Sequence, residues 1–511
     1  MNLAEIVNKN ALRIPQRPAI ISEQGQLTWQ EFYLQVNQMG NALRKLGVTK
    51  GDRVAMYLPN SPEYVVTYFA ISKLGAIAVP FNIMYKSSEI DYIINNSGAK
   101  VLVAAAEEAQ KYVMNIRDKL PSLQELIIVG EHQITDALSY SLLLAEASGE
   151  LETLECAPND ILTILYTSGT TGQPKGAMLT HENLYYNAEL NAFYTLHVND
   201  QDRVLTGTPF CHIFFVLTVL GPMYKGAAVV PVPRFFPDKA LELISRFNIT
   251  HFAGVPTMYI YMLQTFKADP GKYNLSSWRF AQSAGAAMPA EFISQIEESF
   301  SVGFCECYGA TETSSTCTYG RLGHGKAGSI GLPADTWEVR IVDGQNQELP
   351  VGEVGEIVVK GPGVFKGYWE MPEATAAAFN DQWFHTGDLG RSDQDGYLYI
   401  VDRKKDLLIC GGYNIYPREV EEVLYTHPSV LEVAVIGISD DAKGEVPKAF
   451  ITLKPDAEKV SENEIIAFCK ERIAAYKVPR IVEIIANMPK NATGKILKRV
   501  LQDMCPAQHS L

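Results

Sequence analysis

The pattern of apolar and polar positions changes repeatedly along the chain, between short apolar runs typical of strands and spacings typical of helices. Short apolar runs at 54–58, 75–80 and 100–104 are typical of buried strands. The intervening segment 61–74 opens with Ser-Pro, which is typical of a helix start. Strands that alternate with helices predict a parallel sheet covered by helices, and therefore an α/β fold.

Several predicted helices begin with a side chain that can cap free backbone N–H groups. Thr28, with Glu31 three residues later, has the pattern of a capping box, and apolar residues then recur at helical spacing as far as Leu46. Thr180 and Ser461 occupy the same place before later helices. The last hundred or so residues repeat the alternation on a smaller scale, which predicts a small α/β unit.

The composition is that of a globular protein with more than one domain. The chain has 511 residues, of which 47% are hydrophobic and 20% charged, and single hydrophobic cores stop growing well below this length. The formal charge of -14 argues against a general nucleic-acid binder, which would carry a basic face.

The N-terminal sequence and the apolar regions argue against export and membrane insertion. Residues 1–5 lack the basic start and apolar run of a signal peptide. The most apolar region, 213–232, is interrupted by glycine, proline and lysine, so no transmembrane helix is predicted. We expect a cytoplasmic protein with reduced cysteines. Cys305, Cys307 and Cys317 match no zinc spacing, and we expect them to be packed in the interior.

One segment, 166–176, concentrates small, hydroxylated and flexible residues. Its glycines can bring the backbone close to a ligand, its hydroxyls can donate hydrogen bonds, and Lys175 adds a positive charge. It follows an apparent buried strand at 161–166, and a loop of this kind is typical of an anion site. It lacks the Gly-x-x-x-x-Gly-Lys-Ser/Thr spacing of the nucleotide P-loop. A surface loop explains any one of these residues, but the whole run predicts a polyphosphate site.

This segment resembles the phosphate loop of the adenylate-forming enzymes, which include acyl-CoA synthetases, luciferases and peptide-synthetase adenylation domains. The resemblance covers nearly the whole chain, with further motifs in family order at 308–312, 386–388, 402–406 and 493–495. It implies an α/β fold with a large N-terminal domain of parallel-rich sheets covered by helices, residues 1–402. A small mobile C-terminal α/β domain, residues 403–511, would follow.

The resemblance also assigns residues to ATP. The phosphates would be bound by Thr167, Ser168, Gly169, Thr170, Thr171, Gly172 and Lys175. The adenine side would be formed by Gly285, Ala286, Ala287, Tyr308, Gly309 and Ala310, with Tyr308 stacked on the base. Thr311 would bond a phosphate oxygen, and Asp388 and Arg403 would bond the ribose.

The same resemblance places the reacting groups. Lys495 would be the catalytic lysine of the first half-reaction, and His212 would lie beside the carboxylate being activated. Glu312, with Thr167, would hold Mg²⁺, which prefers one or two carboxylates plus phosphate oxygens.

Two further positions concern the second half-reaction. Lys405 would be the pivot between the two domains. Gly411 and Gly412 would let the pantetheine arm of coenzyme A pass close to the backbone. Both assignments come from the resemblance, and a charge cluster such as 402–406 is otherwise typical of a solvated face.

Several of these residues have an ordinary structural alternative. Lys495 could be a solvated surface lysine, His212 a packed histidine beside aromatic residues, and Asp388 a turn residue. The small residues at 283–289 could serve close packing of a helix on a strand. On the residues alone, these alternatives stay open.

The resemblance is strongest to fatty-acid CoA ligases and implies two steps. ATP and a medium- or long-chain fatty acid would give acyl-AMP and pyrophosphate, and CoA would then take the acyl group and release AMP. Phe210, Phe214 and Tyr259 suit either an acyl tunnel or a flat aromatic pocket. An aromatic-acid CoA ligase stays open, as do a ligase that loads a carrier protein and a non-enzymatic nucleotide-binding protein. Peripheral membrane contact and homo-oligomer formation are left open as well.

Overall fold

The computed structural model describes residues 1–167, 174–440, 443–455, 457, 460–491 and 494–505, with the backbone alone at residue 290. Within these residues the strands form four sheets. The first two are predominantly parallel, the third is antiparallel, and the fourth is mixed. Mixed α/β architecture with a large N-terminal and a small C-terminal part was predicted, and it is confirmed.

The first sheet carries the strands that flank the phosphate loop. Its spatial order is Leu138–Ser139, Glu125–Val129, Val101–Ala105, Arg53–Tyr57, Ile77–Pro80, Ile161–Thr167 and Lys175–Thr180. Its pairs are parallel except the last, in which Ile161–Thr167 and Lys175–Thr180 pair antiparallel.

The second sheet is the largest of the four. Its spatial order is Leu332–Pro333, Ser315–Tyr319, Gly303–Ala310, Phe280–Ser283, His251–Gly254, Arg203–Thr206, Ala228–Pro231, Pro18–Ser22 and Gly25–Thr28. Parallel strands form its centre, and antiparallel strands close both edges. The central strands are wholly buried, as expected when helices cover both faces.

Helices and helical turns connect the strands of the first two sheets. The α-helices are Glu5–Arg13, Trp29–Lys45, Pro62–Lys73, Ser87–Ser97, Ala106–Glu108, Tyr140–Glu146, His181–Leu190, Gly221–Lys225, Pro237–Phe247, Pro256–Ala268 and Ala290–Phe300. The π-helical segments are Ala109–Val113, Asn191–Thr195 and Val216–Leu220, and the 3₁₀ turns are Met114–Lys119 and Thr311–Thr313.

The third sheet leads the chain to its C-terminal part. It contains Glu338–Val342, Gly355–Lys360, Trp383–Ser392, Phe379–Asn380 and Leu398–Arg403, and the helix Pro372–Ala377 lies between its strands. We call the first three sheets and their helices the large lobe.

The fourth sheet and its helices form the small lobe. The sheet contains Tyr413–Ile415, Leu408–Cys410, Gly444–Leu453, Val430–Asp440 and Ile481–Ile484, and the helices are Pro417–Tyr425, Glu462–Lys470 and Lys498–Asp503. Its main apolar cluster is drawn from residues 408–482 alone and includes Val420, Val435 and Ile451. The small lobe therefore has a hydrophobic core of its own.

Candidate active site

A β-hairpin carries the phosphate loop, and its two strands end at the loop. Thr167 and Lys175 are paired across the strands, and the Thr167 hydroxyl donates to the Lys175 carbonyl oxygen at 3.4 Å. Predicted loop residues Ser168, Gly169, Thr170, Thr171 and Gly172 lie outside the described residues. A Cβ on Gly176 would lie 2.7 Å from Ile164, which explains a glycine there.

Segment 365–369 joins the phosphate-loop hairpin to Glu312. The Trp369 N–H donates to the Gly176 carbonyl oxygen at 2.7 Å, and the Phe365 N–H donates to the Glu312 carbonyl oxygen at 2.8 Å. The backbone of this segment therefore fixes the separation between the loop and the acidic side chain.

Tyr368 connects two of the predicted ligand groups. Its hydroxyl donates to Glu312 Oε1 at 2.9 Å, and the Lys175 Nζ lies 5.1 Å from the centre of its ring. Burial raises the pKa of Glu312 above its usual value, while the bond from Tyr368 acts in the opposite direction. Sequence reasoning missed Tyr368, because its signal is only an aromatic residue within a glycine-rich turn.

Asp388, Tyr308 and Arg403, which were predicted to lie around the adenosine, contact one another. Asp388 and Arg403 face each other in the third sheet, with Arg403 Nε 3.4 Å from Asp388 Oδ1. The Tyr308 hydroxyl donates to Asp388 Oδ2 at 2.6 Å, across from the second sheet. Burial raises the pKa of Tyr308 well above its usual value, so this hydroxyl stays protonated and donates.

The turn after Tyr308 is tightly packed. A Cβ on Gly309 would overlap the backbone of Ser315, so only glycine fits there. The Ala310 N–H donates to the Thr313 hydroxyl at 2.7 Å, which closes the short turn that carries Thr311 and Glu312. Backbone packing therefore aims these two side chains.

The small-residue loop at 284–288 is held by a buried carboxylate. Gly285 has φ +79°, and a Cβ there would lie 3.1 Å from Phe214. Gly285 and Ala286 are exposed, and Ala287 is half-buried. The Met288 N–H donates to Glu306 Oε1 at 3.0 Å, and burial raises the pKa of Glu306 to about 7. Glu306 was missed because a single acidic residue within a strand gives no sequence signal.

Lys495 comes from the small lobe and lies among groups of the large lobe. Its turn is closed by Asn491, whose side-chain oxygen accepts from the Lys495 N–H at 2.9 Å, and the Thr257 hydroxyl donates to the Gly494 carbonyl oxygen at 3.3 Å. Burial, followed by the positive charge of Arg403, lowers the pKa of Lys495 to about 8. A solvated surface lysine would not be so affected.

His212, in the large lobe, lies within electrostatic range of Lys495. Burial, followed by the Lys495 charge, lowers the pKa of His212 to about 4, so the ring is neutral near pH 7. The ring lies 5.9 Å from that of Phe214. A neutral imidazole and a partly desolvated ammonium in one region suit an anionic group better than a cationic one.

The residues predicted to serve the second half-reaction, Lys405, Gly411 and Gly412, are all at the surface. Lys405 is exposed, although its charge contributes to the lowered pKa of Lys495. The glycines form the tip of a hairpin with φ +57° and +85°. Within the described part of the chain, nothing lies within 4 Å of a Cβ placed on either glycine.

The described residues contain no group of three or more His, Cys, Asp or Glu side chains that could hold a metal ion. Cys305, Cys307 and Cys317 are buried free thiols, as expected for packed cysteines. A search of the same residues also found no helix long and apolar enough to cross a membrane.

Comparison with known proteins identifies the family. The pattern of the AMP-binding enzymes matches residues 7–369, and that of the AMP-binding enzyme C-terminal domain matches residues 419–495. The chain belongs to the AMP-binding enzyme family. The predicted membership among the adenylate-forming enzymes is thus confirmed.

Relatives of this AMP-binding enzyme are similar over nearly their full length. A long-chain-fatty-acid–CoA ligase of Bacillus subtilis is 35% identical, with 100% of this chain and 95% of the relative covered. A feruloyl-CoA synthase of Amycolatopsis sp is 37% identical, with 92% of each covered. The crystal structure of the anthranilate CoA ligase AuaEII with anthranoyl-AMP superposes with a TM-score of 0.93 at 32% identity, covering 99% of this chain and 97% of that one.

These relatives confirm the predicted enzyme class, an AMP-forming acid–CoA ligase. ATP and CoA are the co-substrates of this class. The roles of individual residues stay predictions.

Proposed function

We propose that this enzyme joins a medium- or long-chain fatty acid to coenzyme A through an acyl-AMP intermediate. The observation that carries the proposal is the position of Lys495: the residue before it accepts a hydrogen bond from Thr257 of the large lobe, and its charge reaches His212 and Arg403 of that lobe. Such an arrangement suits a reaction between two anions, a carboxylate and a phosphate.

In the first step, a carboxylate oxygen attacks the α-phosphorus of ATP, and pyrophosphate leaves. The ammonium of Lys495 contacts both the carboxylate and the α-phosphate in this proposal, and offsets their repulsion. His212 is neutral, so it orients the carboxylate without adding a second positive charge beside it. The protein contributes mostly position and charge.

ATP is held by the surrounding groups. The loop from Thr167 to Lys175 binds the β- and γ-phosphates, and Thr311 bonds a phosphate oxygen. The adenine lies between the loop at 285–287 and Tyr308, followed by Gly309 and Ala310. Asp388, held by Tyr308 and Arg403, accepts from the ribose hydroxyls.

Magnesium fits the donor set of this site. Glu312 supplies a half-buried carboxylate beside the phosphate-loop hairpin, oriented by Tyr368, and Thr167 supplies a hydroxyl at the start of the loop. Magnesium prefers oxygen ligands and takes few from the protein when phosphates are present. When bound, it would neutralise part of the phosphate charge.

In the second step, the CoA thiolate attacks the acyl carbon of acyl-AMP. The bond between this carbon and the AMP oxygen breaks, and AMP leaves. The small lobe rotates about Lys405, which withdraws Lys495 and brings Gly411 and Gly412 toward the adenylate. The exposed hairpin tip supports this role, because no described residue lies within 4 Å of a Cβ placed on either glycine. One domain that completes two sites in turn is a common use of hinge motion. Both steps would take place in the cytoplasm.

An aromatic acid is a second candidate substrate. The feruloyl-CoA synthase and the anthranilate CoA ligase are as similar to this chain as the fatty-acid ligase is. Phe214, which packs against Gly285, would then lie against the ring.

A panel of acids tests the proposal. The purified enzyme is given MgATP and octanoate, laurate, palmitate, benzoate or cinnamate, and pyrophosphate and AMP are measured with and without CoA. Acid-dependent pyrophosphate and CoA-dependent AMP release are expected, with one chain length or ring preferred. Acid-dependent pyrophosphate without any stimulation by CoA would indicate a carrier-protein acceptor. Absence of pyrophosphate with every acid would contradict the proposal.

A further inference from the structure

A row of buried polar side chains lies behind the acid side of the active site. Asn187, Asn191 and Thr195 are four residues apart on one continuous helical stretch, and residues at this spacing share a face. The Asn187 side-chain nitrogen donates to the Thr313 carbonyl oxygen at 3.1 Å, directly after Glu312. The row therefore begins at the active site and leads away from it.

These side chains lack partners for several of their polar atoms. Among the described residues, no group bonds the Asn187 side-chain oxygen, the Thr195 hydroxyl, or either polar atom of Asn191. All three residues are at most 1% exposed. Native interiors leave few buried polar groups without partners, so a row of this kind needs an explanation.

Gln282 faces the same interior layer from the second sheet. It is 0% exposed, and neither its side-chain oxygen nor its nitrogen has a partner among the described residues. In register it lies beside Ala253 and Cys305. It therefore shares a sheet face with His251, two residues before Ala253, because side chains alternate along strands.

The contacts of the His251 ring show which neighbouring layer this face of the second sheet packs against. Its Nε2 lies 3.0 Å from the Leu196 carbonyl oxygen, at the end of the polar row. The next residue, Phe252, packs its ring on Tyr259 on the opposite face. Gln282 therefore points toward the layer that contains Asn191 and Thr195, away from Tyr259.

An apolar helical segment, Val216–Leu220, connects this layer to the carboxylate site. At its start, Phe214 packs against Gly285, and at its end a Cβ on Gly221 would lie 2.9 Å from the Asn191 Cβ. Gln282 precedes Gly285 by three residues, which places it about 10 Å deeper along the strand. Phe214 and Gly221 are seven residues apart, so the helix places Gly221, and Asn191 beside it, at about the same depth as Gln282.

We propose that Gln282 and Asn191 bind a polar substituent at the far end of the substrate acid. The proposal rests on the acid–CoA ligase function and narrows its substrate class. The acid carries a hydroxyl, amino or carbonyl group about 10 Å beyond the carboxylate, on either an alkyl chain or an aromatic ring. Primary amides both donate and accept, so Gln282 and Asn191 can bond any of these groups.

Matched pairs of acids test this inference in the wild-type enzyme. One pair is para-hydroxycinnamate and cinnamate, and the other is omega-hydroxyoctanoate and octanoate. We expect kcat/KM for pyrophosphate release to favour the hydroxylated member of at least one pair by tenfold or more, because a site built to hydrogen-bond a group rejects the analogue without it. The pair that shows the preference identifies the carbon skeleton.

Two substitutions test the assigned residues. Gln282→Leu and Asn191→Leu should reduce the preference in that pair by about tenfold, through loss with the hydroxylated acid and little change with its apolar partner. Thr452→Val is the matched control, because Thr452 is also buried with an unpartnered hydroxyl, but it lies in the small lobe. It should leave the preference unchanged.

The outcomes separate this inference from the proposed function. If every acid fails to release pyrophosphate, the ligase function itself is contradicted. If the acids react but the apolar member of both pairs is used as well as the hydroxylated one, the function stands and the polar subsite is overturned. Equal losses with both members of a pair in Gln282→Leu and Asn191→Leu would also overturn it, because they indicate a purely structural role. The wild-type comparison decides the question even if a variant fails to fold.

Discussion

The positive charge of Lys495 lies close enough to His212 to lower the pKa of the imidazole, although the two residues are 283 positions apart and belong to different lobes. The two side chains therefore lie within electrostatic range of each other. An acyl carboxylate placed between them would contact one neutral ring and one ammonium. We propose that this relationship marks the conformation of the enzyme that is suited to acyl-AMP formation.

The lowered pKa of Lys495 predicts how adenylation responds to pH. The ammonium is charged below about 8 and loses its proton as the pH rises through this value. Values of kcat/KM for pyrophosphate release, which report the free enzyme, should therefore fall about tenfold per pH unit above 8. Lys495→Arg should be slower but should show no such fall, because arginine keeps its proton. A wild-type rate that stays constant up to pH 10 would contradict the role of this ammonium.

A hydroxyl of the large lobe bonds two charged groups of the small lobe. The Tyr261 hydroxyl accepts from Lys490 Nζ at 2.7 Å and donates to Glu432 Oε2 at 3.2 Å. Tyr261→Phe removes these contacts between lobes and leaves the Lys490–Glu432 ion pair in place. A net loss of about 1 kcal/mol would lower the population of this conformation about fivefold.

We expect Tyr261→Phe to slow pyrophosphate release by up to about fivefold while thioester formation from supplied acyl-AMP is unchanged or faster. Tyr399→Phe is the control, because its hydroxyl bonds Asp393 within the large lobe. Equal slowing of both half-reactions would show that the Tyr261 bonds do not set the balance between conformations.

Lys405 lies in the turn between Leu398–Arg403 and Leu408–Cys410, where the chain leaves the large lobe. Lys405→Pro fixes φ at this position and should stiffen the turn. Acid-dependent pyrophosphate release should persist, while thioester formation from supplied acyl-AMP should fall at least tenfold. Lys405→Ala separates the loss of the charge from the loss of backbone freedom. Normal thioester formation in Lys405→Pro would place the pivot elsewhere.

Glu312→Gln tests the proposed magnesium ligand. The substitution keeps the size of the side chain and an oxygen that can accept from Tyr368, but removes the negative charge. The Mg²⁺ concentration for half-maximal pyrophosphate release should rise about tenfold. Glu306→Gln, a buried carboxylate on the preceding strand, should leave this titration in place. An unchanged titration in Glu312→Gln would remove Glu312 from the metal site.

Local signals allowed much of the fold to be predicted. The capping box at Thr28 and the caps at Ser61, Thr180 and Ser461 are present as expected, because each depends on residues only three positions apart. The alternation of strands and helices predicted the parallel sheets. It did not predict the antiparallel third sheet, whose strands pair through turns of varied length.

The site was predictable only as far as motifs extend. Tyr368 and Glu306 were missed because each acts through one hydrogen bond to a residue distant in sequence. Tyr368 bonds Glu312, Glu306 bonds Met288, and no spacing pattern in the sequence indicates either contact. Gln282 was missed for a related reason. Its significance depends on which sheet face it occupies and on the absence of a partner among the described residues.

The most direct test of the account separates the two half-reactions in Lys495→Ala. Acid-dependent pyrophosphate release is measured with MgATP, and acyl-CoA formation is measured from supplied acyl-AMP and CoA. The account predicts that the substitution lowers the first rate at least a hundredfold, because an ammonium between two anions is removed, and leaves the second nearly unchanged. Equal losses in both rates, or an unimpaired first rate, would contradict an enzyme that uses Lys495 for adenylation alone.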